Sequence, residues 1–328
     1  MSDGVLSSRE RPLLTIDNLV VDYRVGFRKT VRAVAGVSVA IPRGSVLALI
    51  GESGSGKSTI ARAICGLGPV TAGSIKFDGI DLTAAADRAD AAGRAGIQIV
   101  FQDAMSSLDP RWPAWRSIVE PRLKRMPATE AALKTLAISL LERVGLHQSL
   151  ADRRPSQLSG GQRQRVTIAR ALAGEPKLIV LDEAVSALDV SVRNEVLSLL
   201  DRLRREDGLT YLFVSHDMGA VAQVASEIAV LYLGKVVEAG EASRVISAPA
   251  HPYTKALIAA VPSFGRPTVQ SEARGEIGDP ANPPSGCRFH PRCPVSTSAC
   301  SATDPPLTPF DHRAVACMRL EEIAAQGR

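Results

Sequence analysis

Residues 51–59 read GESGSGKST, directly after the short apolar run Val46–Ile50, and they open Ser58–Leu67, a segment with helical spacing. Gly51, Gly54 and Gly56 let a backbone curl closely around an anion, because a Cβ at such turns clashes. The N–H groups of such a loop, together with the start of the helix behind it, offer positive potential without mobile side chains. Lys57 adds a full charge at the level of β/γ-phosphate oxygens. Ser58 offers a hydroxyl to Mg²⁺, Thr59 is placed for the α-phosphate, and Glu52, Ser53 and Ser55 complete the loop. Strand, spacing, lysine and hydroxyl together read as a P-loop for a nucleoside triphosphate.

Four further clusters carry chemistry. LSGGQRQR (158–165) begins a helical stretch, where Ser159, Gly160 and Gly161 put a hydroxyl and two unhindered N–H groups at a helix N-terminus, a ready anion site. LIVLDE (178–183) is an apolar strand that leaves Asp182 and Glu183 at its carboxyl end. FQD (101–103) follows the strand Gly96–Phe101, and VSHD (214–217) follows the strand Tyr211–Ser215.

With these motifs in this order the chain resembles the ABC ATPase family, from about Leu13 to Ala242. The resemblance implies that Ser159, Gly160, Gly161 and Gln162 form the signature touching the γ-phosphate held by another subunit's P-loop, so that two subunits sandwich ATP. It implies Asp182 and Ser58 as holders of Mg²⁺, Glu183 as general base for the attacking water, and Gln102 as the Q-loop glutamine that senses Mg²⁺ and the γ-phosphate. Asp189, in SALD (186–189), matches the D-loop at the dimer interface. His216 matches the switch histidine that contacts the γ-phosphate. Tyr23 is the candidate for stacking on adenine, with Phe27 competing. Such phosphoryl transfer needs positioning and charge neutralisation more than covalent chemistry, and Cys65, on the helix after the P-loop, reads as a small core residue.

DAMSSLDPR (103–111), HPYTKALIAAVP (251–262) and GCRFHPRCP (286–294) resemble the oligopeptide and dipeptide importer branch, and SALDVS is closer to its second, F-type ATPase subunit. That branch also includes importers of nickel and of oligosaccharides. It implies a second ATPase subunit, two integral-membrane permease subunits and an extracytoplasmic solute-binding protein, with this chain peripheral at the cytoplasmic face of a bacterial inner membrane. Cys287, Cys293, Cys300 and Cys317 are separated by five, six and sixteen residues. Four thiolates suit a [4Fe–4S] cluster or tetrahedral zinc. Tails of this branch favour the cluster, and unligated or disulfide-bonded thiols remain the third possibility.

The elements that must position these residues alternate. Strands at Leu13–Tyr23, Val46–Ile50, Ile75–Phe77, Gly96–Phe101, Lys177–Leu181, Tyr211–Ser215 and Ile228–Tyr232 are interleaved with helical segments, including Ser191–Arg205 and Met218–Ala225. This order implies an α/β fold with a mainly parallel core sheet, and the resemblance adds an antiparallel β subdomain and an α-helical subdomain at about 103–172. The expected division is an ATPase domain over 1–247 and a small irregular, cysteine-containing extension over 248–328.

At 45 % hydrophobic content the chain has ample apolar material for a packed core. Aromatic residues are 4 %, too few for a surface that stacks nucleobases, and the net charge of +5 is diffuse, so no nucleic-acid partner is expected. No apolar run approaches the roughly 20 residues of a membrane span, and the N-terminus lacks the apolar core of a secretory signal. One cassette without a long heptad tract argues against the ABC ATPases that act on ribosomes or DNA.

Overall fold

Strands that are apolar throughout need cover on both faces, and a parallel sheet supplies it. β3 (Val46–Ile50), β7 (Leu178–Asp182) and β8 (Thr210–Val214) are buried at every position. The structure, a computed structural model, describes residues 11–25, 29–83, 93–123, 128–260, 276 and 278–326. In it these strands pair in parallel with one another and with β6 (Ile97–Val100) and β9 (Glu227–Tyr232), in the order β9-β3-β8-β7-β6. The register sets Val46 beside Tyr211 and Leu178 beside Thr210.

The period of two along β3 divides its side chains between two cores. Leu47 and Leu49 face a cluster with Ile60 and Ile64 of the helix Lys57–Ile64 and with the second sheet. Val46, Ala48 and Ile50 face the other, with Val196, Leu200 and Leu203 of the helix Val190–Asp207. The second sheet is antiparallel, ordered β2-β1-β4-β5 from β1 (Leu14–Val25), β2 (Lys29–Ile41), β4 (Ala72–Phe77) and β5 (Ile80–Asp81). The strand reading of Leu13–Tyr23 found β1 but missed its partner, because β2 carries a polar, half-exposed first half.

Helices Ala114–Leu123, Glu130–Arg143 and Gly160–Ala173 occupy the region read as helical, joined through buried Ile118, Val119, Leu141 and Ile168. Thr129 starts the middle helix by accepting the N–H of Ala132 at 3.3 Å.

The C-terminal segment is stitched to the large sheet. β10 (Lys235–Glu241) runs antiparallel to β9; β12 (Arg313–Val315) adds to β10, and β11 (Thr308–Phe310) to β12. Arg313 donates to Glu238 at 3.2 Å across this junction, with both side chains buried. Tyr253, of the helix Pro252–Ala259, and Phe289 join the main core and stack with Tyr232 of β9. The composition change near residue 248 is therefore not a break in packing. Among the described residues, no helix is long and apolar enough to cross a membrane.

Candidate active site

The glycine-rich loop leaves the end of β3 and winds around the Lys57 ammonium. Nζ donates to the carbonyls of Gly51 and Glu52, each at 2.9 Å, and to Ser55 Oγ at 3.3 Å. Two glycines are demanded by geometry. A Cβ on Gly51 would lie 2.2 Å from the Leu231 carbonyl oxygen, and one on Gly56, at φ 106°, would lie 2.6 Å from that of Ala33. Burial pulls the Lys57 pKa down, while the carboxylates of Glu183, Asp182 and Glu52 oppose that shift. Ser53 and Gly54 are exposed on the rim, and Ser58 and Thr59 are half-buried at the helix start.

Parallel strands end their carboxyl termini along one edge, and the reactive side chains gather there. Ser58 Oγ donates to Asp182 Oδ1 at 2.8 Å, joining the loop to the end of β7. Burial raises the Asp182 pKa, and the Ser58 hydrogen bond works against it. Glu183, next in the chain, takes φ 51°, a left-handed conformation that non-glycine residues rarely hold. Its N–H donates to the Val214 carbonyl at 3.0 Å, so the turn is pinned to β8. From the end of β8, His216 places Nδ1 3.4 Å from Glu183 Oε2.

A bridge leads on from this turn. Ser186 Oγ donates to the Glu183 carbonyl at 2.8 Å, and Gln102 Nε2 donates to Ser186 Oγ at 3.4 Å. The structure also supplies residues that sequence reasoning gave no role. Arg193 bonds Asp217 and donates to the Leu188 carbonyl at 3.0 Å, tying the segment before Asp189 to the residue after His216. Asp217 also caps the helix Met218–Val224 by accepting the Ala220 N–H at 3.0 Å. Asp189 itself is exposed and makes no side-chain cap.

Residues 159–162 form a reciprocal cap. Ser159 Oγ accepts the Gln162 N–H at 3.2 Å, and Gln162 Oε1 accepts the Ser159 N–H at 2.9 Å. Ser159 and Gly160 are exposed, and among the described residues no hydrogen bond joins this segment to residues 51–59. The start of this helix, at Ser159 and Gly160, thus faces outward.

Tyr23, half-buried on β1, packs against the second core. Phe27 lies outside the described residues. Cys65, read as a small core residue, ends the helix Lys57–Ile64 and is half-buried against the second core; burial pushes its thiol up to about 12. Cys287, Cys293, Cys300 and Cys317 line one pocket with His251 and His290, and none is in a disulfide. Burial is the main cause raising Cys287 to about 11, with the other three thiols adding to it. Among the described residues, no group of three or more metal-ligating side chains is drawn close enough to hold an ion, so the expected cluster or zinc is unsupported by the geometry.

A residue from the tail reaches the phosphate loop. Arg292 donates to both carboxylate oxygens of Glu52, at 2.7 and 3.0 Å, across 240 positions of sequence. The Glu52 N–H donates to Tyr253 Oη at 2.8 Å. Neither contact leaves a local signal in the sequence.

Comparison with known proteins identifies the family. Residues 34–186 match the family "ABC transporter", and residues 237–300 match "Oligopeptide/dipeptide transporter, C-terminal region". The chain is 45 % identical to a Sinorhizobium fredii protein named for peptide ABC transport, over 93 % of this chain and 89 % of that one. It is 41 % identical to the oligopeptide transport ATP-binding protein OppF of Salmonella typhimurium, over 90 % of each. Among solved structures, the dimeric ATP-binding cassette MJ0796 bound to ADP and phosphate is similar, with TM-score 0.64 and 31 % identity over 70 % of this chain and 98 % of that one.

Proposed function

The chain belongs to the ABC transporter family, as an ATP-binding subunit of its oligopeptide/dipeptide branch, and we propose that it powers peptide import by hydrolysing ATP in a sandwich shared with a second ATPase subunit. The observation that carries this reading is the Glu183–His216 contact at the strand ends, beside the joined Ser58 and Asp182.

In this reading Gly51, Glu52, Ser53, Gly54, Ser55, Gly56, Lys57, Ser58 and Thr59 cradle the phosphates, and Tyr23 meets the adenine. Lys57 exchanges part of its hold on the loop carbonyls for phosphate oxygens. The donor set of Ser58, Asp182 and Gln102 is all hard oxygen or amide, which suits Mg²⁺. Bound there, Mg²⁺ would neutralise charge on the phosphates. Glu183 takes the proton of the attacking water, and His216 orients that water against the γ-phosphate. Ser159, Gly160, Gly161 and Gln162 serve the partner's loop, with Ser159 and Gly160 exposed for it, and Asp189 crosses the same interface. ABC transport requires membrane permease partners. The companion ATPase, the extracytoplasmic binding protein and a peripheral position at the cytoplasmic membrane face complete the proposal.

The four tail cysteines are the proposed ligands of a [4Fe–4S] cluster, with zinc the alternative. All four line one pocket, but as placed no three metal-ligating side chains among the described residues stand close enough together to hold an ion. Iron and zinc content after anaerobic purification tests it, and a protein holding neither metal ends the idea.

For the main reading, the test is ATP turnover by the chain assembled with its membrane subunits. Peptide-stimulated hydrolysis that collapses in Glu183→Gln is expected. Turnover unmoved by that substitution would place hydrolysis in the partner's site.

A further inference from the structure

An acidic side chain in a loop built to hold phosphate is an electrostatic liability. Glu52 follows the first glycine of the loop, and its carboxylate is close enough to act on the Lys57 ammonium. Left alone, it would repel an incoming triphosphate through the same short distance. The structure answers this with a cation from the far end of the chain. Arg292 engages Glu52 with both guanidinium arms, in the two-pronged geometry that makes such pairs strong.

The arginine is held in place. It follows Phe289 by one turn, with Phe289 1 % exposed in the main core, and its guanidinium lies 5.7 Å from the Phe289 ring centre and 5.8 Å from that of Tyr232. Tyr253, packed against the same two rings, takes the Glu52 N–H. A Cβ on Gly54 would come within 3.7 Å of Pro280, so the tail also lies along the loop's outer side.

We propose that Arg292 and Tyr253 are positioning residues of the ATP site: the C-terminal segment clamps the phosphate loop through Glu52, neutralising its carboxylate and fixing its backbone so that the triphosphate is accepted. This rests on the reading of residues 51–59 as the ATP loop. The clamp acts on nucleotide affinity, because it bears on the loop and not on Glu183 or His216. It also makes the segment beyond residue 248 part of the nucleotide site.

The test is equilibrium binding of ATP to the full chain. Arg292→Gln should weaken binding about tenfold, the scale of losing one charge-assisted pair at a partly shielded site. Glu52→Gln placed in the Arg292→Gln background should restore affinity to within about threefold of native, because the uncompensated charge is gone. Tyr253→Phe should weaken binding by a smaller factor. In the assembled transporter, Arg292→Gln should raise KM for ATP while kcat stays near native.

Native affinity in Arg292→Gln overturns the proposal. So does a loss that Glu52→Gln fails to recover, since Arg292 would then be acting on the nucleotide directly or through the fold. Should Arg292→Gln not fold, as judged by its thermal midpoint without nucleotide, Arg292→Met keeps the stem over the rings and is read by the same criteria. A native chain that binds no ATP would instead sink the reading of the loop itself, a separate failure.

Discussion

Nδ1 of His216 lies 3.4 Å from Oε2 of Glu183, although the two residues arrive from different strands. Glu183 reaches that position only by adopting a left-handed backbone, pinned to Val214 at 3.0 Å. Strain of this kind costs of order 1–3 kcal/mol, and it persists where surrounding structure over-determines it. Here β7 and β8 supply that surrounding structure, and the result is a carboxylate and an imidazole aimed at one volume.

Removing the carboxylate while keeping its shape tests the pair. Glu183→Gln should lower ATP turnover of the assembled transporter by about 10²–10⁴-fold, the usual worth of a positioned general base, with ATP binding retained. His216→Ala should lower turnover of the native protein but cost little further in the Glu183→Gln background, because the two act as a unit. Single-turnover hydrolysis with labelled ATP reads both.

Arg193 links the segment before Asp189 to the residue after His216, through the Leu188 carbonyl and Asp217. Arg193→Ala should slow turnover about tenfold while leaving ATP affinity within about twofold, since it frees loop positions and touches no phosphate. Comparing kcat with the ATP dissociation constant separates the two effects.

The buried ion pair between Glu238 and Arg313 fastens the tail to the sheet. Glu238 also accepts the N–H groups of Ala250 and His251, at 3.0 and 2.9 Å. Arg313→Ala leaves that carboxylate buried without its cation and should destabilise the protein by about 3–5 kcal/mol. Urea unfolding measures this, and a shift below about 1 kcal/mol would mean the tail holds by other contacts.

His251 is wholly buried and starts the helix 252–259 by accepting the Tyr253 N–H at 3.0 Å. Burial pushes its pKa down to about 3, against a partial offset from a hydrogen bond to the Ala316 backbone. A folded-state pKa below the unfolded value means that the unfolded chain binds the proton first. Stability from this residue is therefore intact above about pH 6.5 and is lost as pH falls toward 3, amounting to about 2 kcal/mol between pH 7 and 5. His251→Asn keeps a capping acceptor and should flatten the fall of the thermal midpoint over that interval.

Much of this architecture is legible in the sequence because it is local. The loop at 51–59, the cap at 159–162 and the acids at 182–183 each sit beside a strand or helix whose period announces it. Apolar runs such as Val46–Ile50 locate the central strands, since a strand covered on both faces needs no polar alternation. β2 escaped because its first half is polar and its pairing with β1 is a property of two segments. β11 and β12 are three residues each, too short to carry a period. Arg292, Tyr253 and Arg193 escaped for a further reason: their partners are fixed by how the finished sheet brings distant segments together, and nothing in HPRCP names Glu52.

That long-range contact has a consequence in time. Chains emerge from the ribosome N-terminus first, and their domains fold as they appear. The phosphate loop is made 240 residues before its partner Arg292. On the clamp proposed above, Glu52 waits without its cation during synthesis, and the nascent loop would repel the ligand it later holds. A premature stop between residues 217 and 292 would leave a fragment with every nucleotide motif present and no Arg292 to pair with Glu52.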